Sequence, residues 1–469
     1  MKGIISYGAY IPYNRLQRSK IAEFYGKRGL GGEKAIAGYD EDSVSMGVEA
    51  AIDCLNGVNP SEVDAVYFAT TSEPYQEKGS MATIATALGL NKNVRGIEAN
   101  ASLKSGTSSI LAAQAQEKTL VIAADCRIGA PTGQNELWFG DGAASLLVGS
   151  GDDVVAKIVD SGTMQGEIVS QWRSQRDDFT QNWEERLGST VFLKQVREAI
   201  TPFLEKNDRT PDSIAKVIIS GPGNRAHTQA AGALGFGKDQ IQNPLFDFVG
   251  DTGTAHAPMM LISALESAKP GDQLLVIDFA EGLDFILFEV TDAINSLESR
   301  KGVETYLSIK SDKLLYSDYL KWRDILKTEP PRRPATERPS APALHRGYDQ
   351  NLSFTGSKCR KCGTAQFPKQ RVCTQCQAKD EMDDYRFVGQ SAKVMTYTLD
   401  HLAAAPAPPI VAVIDFDNGG RIICEVTDCS PKEIEIGMNV EMTFRRLYEA
   451  GGISNYFWKA RPIREKESV

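Results

Sequence analysis

Up to about residue 292 the chain alternates short apolar runs with stretches of helical period. Val66 to Thr70, Leu120 to Ala124, Lys216 to Ser220 and Gln273 to Phe279 are strand-length and rich in β-branched residues. Between them, Asp42 to Leu55 places Val44, Val48, Ala51 and Leu55 at spacings of three and four, which predicts a helix with one apolar face. Strands alternating with helices predict a layered α/β architecture. From about 303 to 327 a charged, aromatic stretch (Tyr306, Tyr316, Tyr319, Trp322) reads as helical structure closing this region. Glu329 to Leu344 then turns proline-rich with little bulky apolar character, and predicts an extended linker. Four cysteines follow. From about 386 to 463 the pattern is all-β, with turn signals at Asp417-Asn418-Gly419-Gly420 and Gly451-Gly452.

The chain has 469 residues, 42% apolar and 24% charged, enough for more than one hydrophobic core. Lys and Arg number 52 against 61 Asp and Glu, a net charge of −9, so no general attraction to nucleic acid or an anionic membrane is expected. The strongest apolar runs, Leu274 to Phe279 and Ile410 to Ile414, are far shorter than the roughly 18–20 residues of a membrane helix. Met1 leads directly into a strand pattern, Gly3-Ile4-Ile5-Ser6-Tyr7-Gly8, without a basic leader. A cytoplasmic protein is the expectation.

Cys359-Arg360-Lys361-Cys362 and Cys373-Thr374-Gln375-Cys376 are two CxxC knuckles separated by ten residues. Each knuckle presents two thiolates, and a short hairpin brings the pairs together around one tetrahedral Zn²⁺. Four thiolates close the coordination shell, so the expected role is structural. Cys54, Cys126, Cys424 and Cys429 lack such spacing and are expected to be buried, reduced thiols.

The segment Lys34-Ala35-Ile36-Ala37-Gly38-Tyr39-Asp40-Glu41-Asp42-Ser43-Val44-Ser45-Met46 resembles the early signature of the 3-hydroxy-3-methylglutaryl-CoA synthase family, in its archaeal-type branch of the thiolase superfamily. The resemblance continues through Thr70-Thr71-Ser72-Glu73-Pro74-Tyr75, Ser102-Leu103-Lys104-Ser105-Gly106-Thr107 and Phe139-Gly140-Asp141-Gly142-Ala143-Ala144. It extends to Gly250-Asp251-Thr252-Gly253 and Ala268-Lys269-Pro270-Gly271-Asp272, and covers about residues 1–327. The remainder resembles the zinc-ribbon plus OB-fold (DUF35-type) proteins that accompany thiolase-like enzymes, here fused to the chain. The resemblance implies a thiolase-like double α/β fold, layered αβαβα, in two halves at 1–165 and 166–328. A Pro-rich linker at 329–345, a zinc ribbon at 346–385 and an all-β OB-fold at 386–469 complete the expected organisation. It also implies a homodimer and a coenzyme A thioester as substrate.

Family members use a Cys nucleophile with His, Asn and, in the synthases, Glu, to take up an acyl group and stabilise a thioester enolate. Matched residue by residue, this chain departs at each position. Leu103 stands at the Cys, Thr71 at the Glu, Ser220 at the His and Asp251 at the Asn. Leucine cannot accept an acyl group. The residues left for chemistry are Asp251 and His256, five positions apart, where a carboxylate beside an imidazole is a plausible general base, together with Glu73 and Tyr75 after the strand ending at Thr70. His227 follows the lost His position. Arg225 matches a family Lys near the coenzyme A phosphates, and Asp141 reads as a structural turn residue.

Three functional readings follow. In the first, the chain makes or breaks a C–C bond of aldol type in a 3-hydroxyacyl-CoA, which needs a base and an enolate site but no Cys. In the second it is a non-catalytic acyl-CoA-binding subunit that completes a complex with a second thiolase-like subunit. In the third it is an acyltransferase or synthase-like Claisen enzyme using Ser102 or a displaced Cys126. Nucleic-acid binding through the OB-fold is not expected, because stacking aromatics are sparse near Arg346, Lys358, Arg360 and Lys361.

Overall fold

The computed structural model describes residues 1–223, 225–329, 341–403 and 408–464. Every strand and helix named above forms. Nine strands, β1 (Lys2–Tyr10), β2 (Ala65–Thr70), β3 (Arg95–Asn100), β4 (Thr119–Cys126), β5 (Asp141–Ser150), β6 (Ala156–Gln165), β7 (Lys216–Ser220), β8 (Gln273–Ala280) and β9 (Gly282–Val290), build one mixed sheet. Its order is β7-β8-β9-β6-β1-β5-β4-β2-β3. The strands of the two halves are joined through β1 and β6, where Gly3 pairs with Lys157 and Ile4 with Ala156. The pairs β2/β3, β2/β4 and β7/β8 are parallel and the others antiparallel. Parallel strands must be covered on both faces, which is why β4 and β8 read as nearly unbroken apolar runs.

Helix α1 (Ser43–Cys54) is capped by Asp42. Asp42 accepts from the Ser45 N–H at 2.9 Å, and the Ser45 hydroxyl accepts in return from the Asp42 N–H at 2.9 Å. Helices α2 (Ser105–Ala113) and α3 (His256–Leu265) form the inner layer, α2 against β2, β4 and β9, and α3 against β1 and β5 from one half and β7 and β8 from the other. Nine of the ten α3 residues are buried. Strand β3 is the open edge of the sheet, and its Ile97 is 53% exposed.

The described chain divides into two compact units, the second comprising Tyr39–Glu41, Thr86–Gly89 and Leu320–Val469. In the second unit, Thr355–Cys359, Ala365–Gln366 and Met382–Arg386 form a three-stranded sheet, and five strands close a barrel. Phe354, Phe387, Phe416 and Trp458 stack in its core, and the Trp458 indole N–H donates to the Leu352 carbonyl at 2.8 Å. The expected linker is corrected at its end. Residues 330–340 lie outside the described residues, but Ala341–Ser353 is a helix. Pro342 falls in its first turn, where no N–H is needed, and Ala343 and Leu344 are strong helix formers. The thiols are also only partly as expected. Cys54 and Cys424 are buried, whereas Cys126, the last residue of β4, and Cys429, in a loop, are half-buried.

Candidate active site and metal centre

Strands β2 and β4 run side by side, so the loop after Thr70 passes over Asp125 near the end of β4. That carboxylate, fully buried, ties three segments together. Its Oδ1 accepts from the Thr71 N–H at 2.7 Å, the Thr70 and Thr71 hydroxyls at 3.0 Å each and the Ser72 hydroxyl at 2.8 Å. Its Oδ2 accepts from the Thr254 N–H at 2.8 Å and hydroxyl at 3.0 Å. The loop 251–255 is also pressed onto α2, where Gly106 leaves no room for a Cβ, which would lie 2.2 Å from the Thr254 carbonyl oxygen.

Two cavities flank Leu103 in this frame. The first, about 540 Å³, is lined by Thr71, Glu73, Tyr75, Asn100, Leu103 and Arg127, among others. The second, about 150 Å³, has Leu103, Trp138, Ser220, Phe246, Asp251 and Gly253 in its wall. Ala101, at φ +80°, holds the turn that leads into Leu103. A third cavity, about 550 Å³, contains His227 and shares Trp138 and Phe246 with the second.

Glu73 is hydrogen-bonded by the Ser80 hydroxyl at 3.2 Å. Burial, reinforced by the Glu98 carboxylate, pushes its carboxyl up to about 7, the range of a general base at neutral pH. Tyr75 shares this cavity, with the Lys78 ammonium 4.7 Å from its ring centre. Asp251 pairs with Arg127 at 2.7 Å and accepts from the Gly253 N–H at 2.9 Å. Burial alone would raise its carboxyl, but the Arg127 guanidinium pulls it below the ordinary value and keeps it ionised. Arg127 also lies 3.7 Å over the Phe139 ring, so its guanidinium is fixed from two sides.

The other expected residues lie elsewhere. His256 is 3% exposed and stacks on Phe246 with ring centres 5.0 Å apart, and it lines none of the three cavities. Burial pushes its imidazole down, toward the neutral form. Arg225 is exposed at the start of the helix Ala226–Leu234, outside these cavities. Ser102 donates to Glu281 at 2.7 Å, and neither it nor Cys126 lines any of these three cavities. Asp141 is buried and accepts from the Ala37 N–H at 2.7 Å, a structural contact. Sequence reasoning missed Asp125 and Arg127, although a charged pair straight after the apolar run of β4 was a readable signal.

In the second unit the Sγ atoms of Cys359, Cys362, Cys373 and Cys376 lie within 4.8 Å of one another. Cys359 and Cys376 are 3.6 Å apart, Cys362 and Cys373 3.5 Å. A tetrahedral ion with Zn–S bonds of about 2.3 Å demands sulfur separations of about 3.8 Å, so the four cysteines fit zinc. Each knuckle closes through the next residue, at positive φ. The Gly363 N–H donates to Cys359 O at 2.9 Å, and the Gln377 N–H to Cys373 O at 3.1 Å.

The family model described as "ChsH2, rubredoxin-like zinc ribbon domain" matches residues 351–383, and "ChsH2, C-terminal OB-fold domain" matches residues 385–445. The hydroxymethylglutaryl-CoA synthase of Pyrobaculum aerophilum is 30% identical over 345 residues, which span 69% of this chain and 98% of that protein. Its counterpart in Methanosphaera stadtmanae is 28% identical over 335 residues, 68% and 96% of the two chains. Among solved structures, an HMG-CoA synthase complexed with CoA aligns with a TM-score of 0.61 and 17% identity, over 68% of this chain and 89% of that one. A 3-oxoacyl-[acyl-carrier-protein] synthase III from Aquifex aeolicus aligns at 0.54 and 20%, over 62% and 100%. These alignments establish a thiolase-like α/β fold followed by a zinc ribbon and an OB-fold. No described helix is long and apolar enough to cross a membrane.

Proposed function

Because the first two thirds of the chain belongs to the hydroxymethylglutaryl-CoA synthase family, we propose that the protein acts on acyl-CoA thioesters and cleaves, or in reverse forms, the C2–C3 bond of a 3-hydroxyacyl-CoA without an acyl-enzyme. The observation that carries this reading is Leu103. It borders both cavities and offers no nucleophile, while the first cavity holds a carboxyl poised near neutrality. Glu73 takes the 3-hydroxyl proton. The O–H pair becomes the new C=O bond, and the C2–C3 pair passes into a thioester enolate. Arg127 supplies the cation facing the enolate oxygen, and Asp251 is a positioning residue that fixes the guanidinium. Tyr75 orients the departing carbonyl from the same wall. His256, buried and neutral, supports the Asp251 loop, and Arg225 is the surface contact for a coenzyme A phosphate.

A homodimer on the open edge strand β3, a structural zinc and a cytoplasmic location belong to the same reading. Its test is an LC–MS turnover assay on the purified chain with 3-hydroxyacyl- and 3-oxoacyl-CoA thioesters of increasing size. Cleavage to a shorter acyl-CoA and a carbonyl compound, with the protein mass unchanged, is the expected result. A stable acyl adduct would restore a nucleophile at Ser102 or Cys126. Silence from the folded, zinc-loaded chain, with turnover only on adding a second thiolase-like subunit, would make it the acyl-CoA-binding partner.

A further inference from the structure

Four adjacent strands carry a row of paired polar side chains at one level of the sheet. Ser220 on β7 pairs with Asp278 on β8, Asp278 with Asp284 on β9, and Asp284 with Thr163 on β6. Asp278 and Asp284 are almost fully buried. Lys104, at the N-cap of α2, is also buried and pairs with Asp284 at 2.9 Å, and Thr163 donates to the same carboxylate at 2.8 Å. Among the described residues Asp278 is hydrogen-bonded by hydroxyls, of Thr107 on α2 at 2.9 Å and of Ser220. Two buried carboxylates thus face one ammonium, and a second negative charge there is unmatched. Burial, with Asp284 adding to it, pushes the Asp278 carboxyl up to about 7, against the opposing pull of Lys104 and the two hydroxyls. At the other end of the row, Ser220 opens into the second cavity beside Leu103 and Asp251.

We propose that Ser220, backed by Asp278, is the group that delivers a proton to C2 of the thioester enolate. The inference rests on the aldol reading above and completes its proton balance. As the C2–H bond forms, Ser220 loses its hydroxyl proton to carbon and regains one from the Asp278 carboxyl, which is left ionised. Glu73 releases the 3-hydroxyl proton to solvent, and Asp278 recovers one when product leaves. Ser220 is the catalytic residue of this step, and Asp278 acts through it. Glu73 and Ser220 line different cavities, with Leu103 common to both, so proton removal and proton delivery have separate walls.

The reverse half-reaction supplies a readout that a purely structural row would not move. Propionyl-CoA incubated with the full zinc-loaded chain in D₂O is expected to exchange its C2 protons, followed by mass spectrometry, with a rate that rises through about pH 7 as Asp278 ionises. Ser220→Val is expected to lower exchange and cleavage by on the order of 10²-fold, while the isosteric Ser220→Thr, which keeps a hydroxyl, restores most of both. Asp278→Asn is expected to slow exchange and abolish its rise with pH. Ser220→Val exchanging within about threefold of wild type would overturn the proposal and leave the cleavage reading intact. Exchange without cleavage of any 3-hydroxyacyl-CoA would overturn the cleavage reading and retain the Ser220 assignment. Wild type showing neither would overturn both.

Discussion

Asp278→Asn tests the buried carboxyl row through stability, independently of any substrate. The folded protein holds the Asp278 proton up to about pH 7, whereas the unfolded chain releases it near the ordinary aspartate value of 3.8. Between these values the folded state binds the extra proton, so the stability that Asp278 contributes is complete below about 3.8 and is lost as pH rises through about 7. The shift of roughly three units corresponds to about 4 kcal/mol by about pH 8, of which about 2 kcal/mol is already gone by about pH 5.5. Asn has the shape of the protonated acid, accepts from Thr107, donates to Ser220 and never ionises. The variant is therefore expected to be more stable than wild type, with an advantage that grows by about 2 kcal/mol between pH 5.5 and 8. Guanidinium unfolding at both pH values, followed through Trp138, Trp172 and Trp183 of the first unit, measures the difference. A variant that is less stable at pH 8, or equally shifted at both, would show that Asp278 is ionised beside Asp284 and would refute the charge argument.

The remaining predictions concern the loop frame, the base, the metal and the open edge. Asp125→Ala leaves the buried N–H groups of Thr71 and Thr254 unpaired and is expected to cost about 4 kcal/mol, read by thermal denaturation, with faster hydrogen exchange over residues 70–73 and 252–254. Unchanged protection in both loops would contradict the hub role. Glu73→Gln should abolish cleavage by 10²-fold or more without loss of coenzyme A binding, and the wild-type cleavage rate should pass through a maximum near pH 7, where Glu73 ionises while Asp278 still holds its proton. One zinc per chain is expected by elemental analysis, falling to zero in Cys373→Ser, with the Trp458 core losing its cooperative transition on chelation. Light scattering should give a dimer for wild type and a monomer for Ile97→Lys, because a charge on the open β3 edge opposes strand pairing.

The elements were legible because each is specified locally. Alternation and β-branching marked β2, β4, β7 and β8 to within two residues of their ends, and the spacing of Val44, Val48, Ala51 and Leu55 marked α1. The doubled CxxC spacing likewise placed all four ligands, since each knuckle is a local turn. What sequence spacing does not carry is cross-strand register. Ser220, Asp278 and Asp284 share one row only because β7, β8 and β9 pair in the register they do. Asp251 and His256 illustrate the converse. Five residues apart, they look like neighbours on one wall, yet His256 opens a helix buried on nearly every side and its ring turns under Phe246. The readable trace of the hidden row was the violation it makes, an acid inside Val276-Ile277-Asp278-Phe279 and another inside Leu283-Asp284-Phe285.

That violation bears on the proposed cleavage without a nucleophile. Acyl transfer through a cysteine needs a thiolate, and so an environment that favours negative charge at the attacking atom. Leu103 removes any need for it. What surrounds Leu103 instead is chemistry suited to moving protons, a carboxyl in the first cavity and a second one behind Ser220 in the other, both held near neutrality by burial and by a neighbouring carboxylate. A group transfers protons well in both directions when its affinity matches the ambient pH. Ion-pairing either acid would stabilise the fold, as Arg127 does for Asp251, but would fix its charge and end that exchange. The contrast between paired Asp251 and the unpaired charges of Glu73 and Asp278 is thus a division of labour. In the proposed cleavage, Asp251 positions a cation, and Glu73 and Asp278 carry the protons on either side of Leu103.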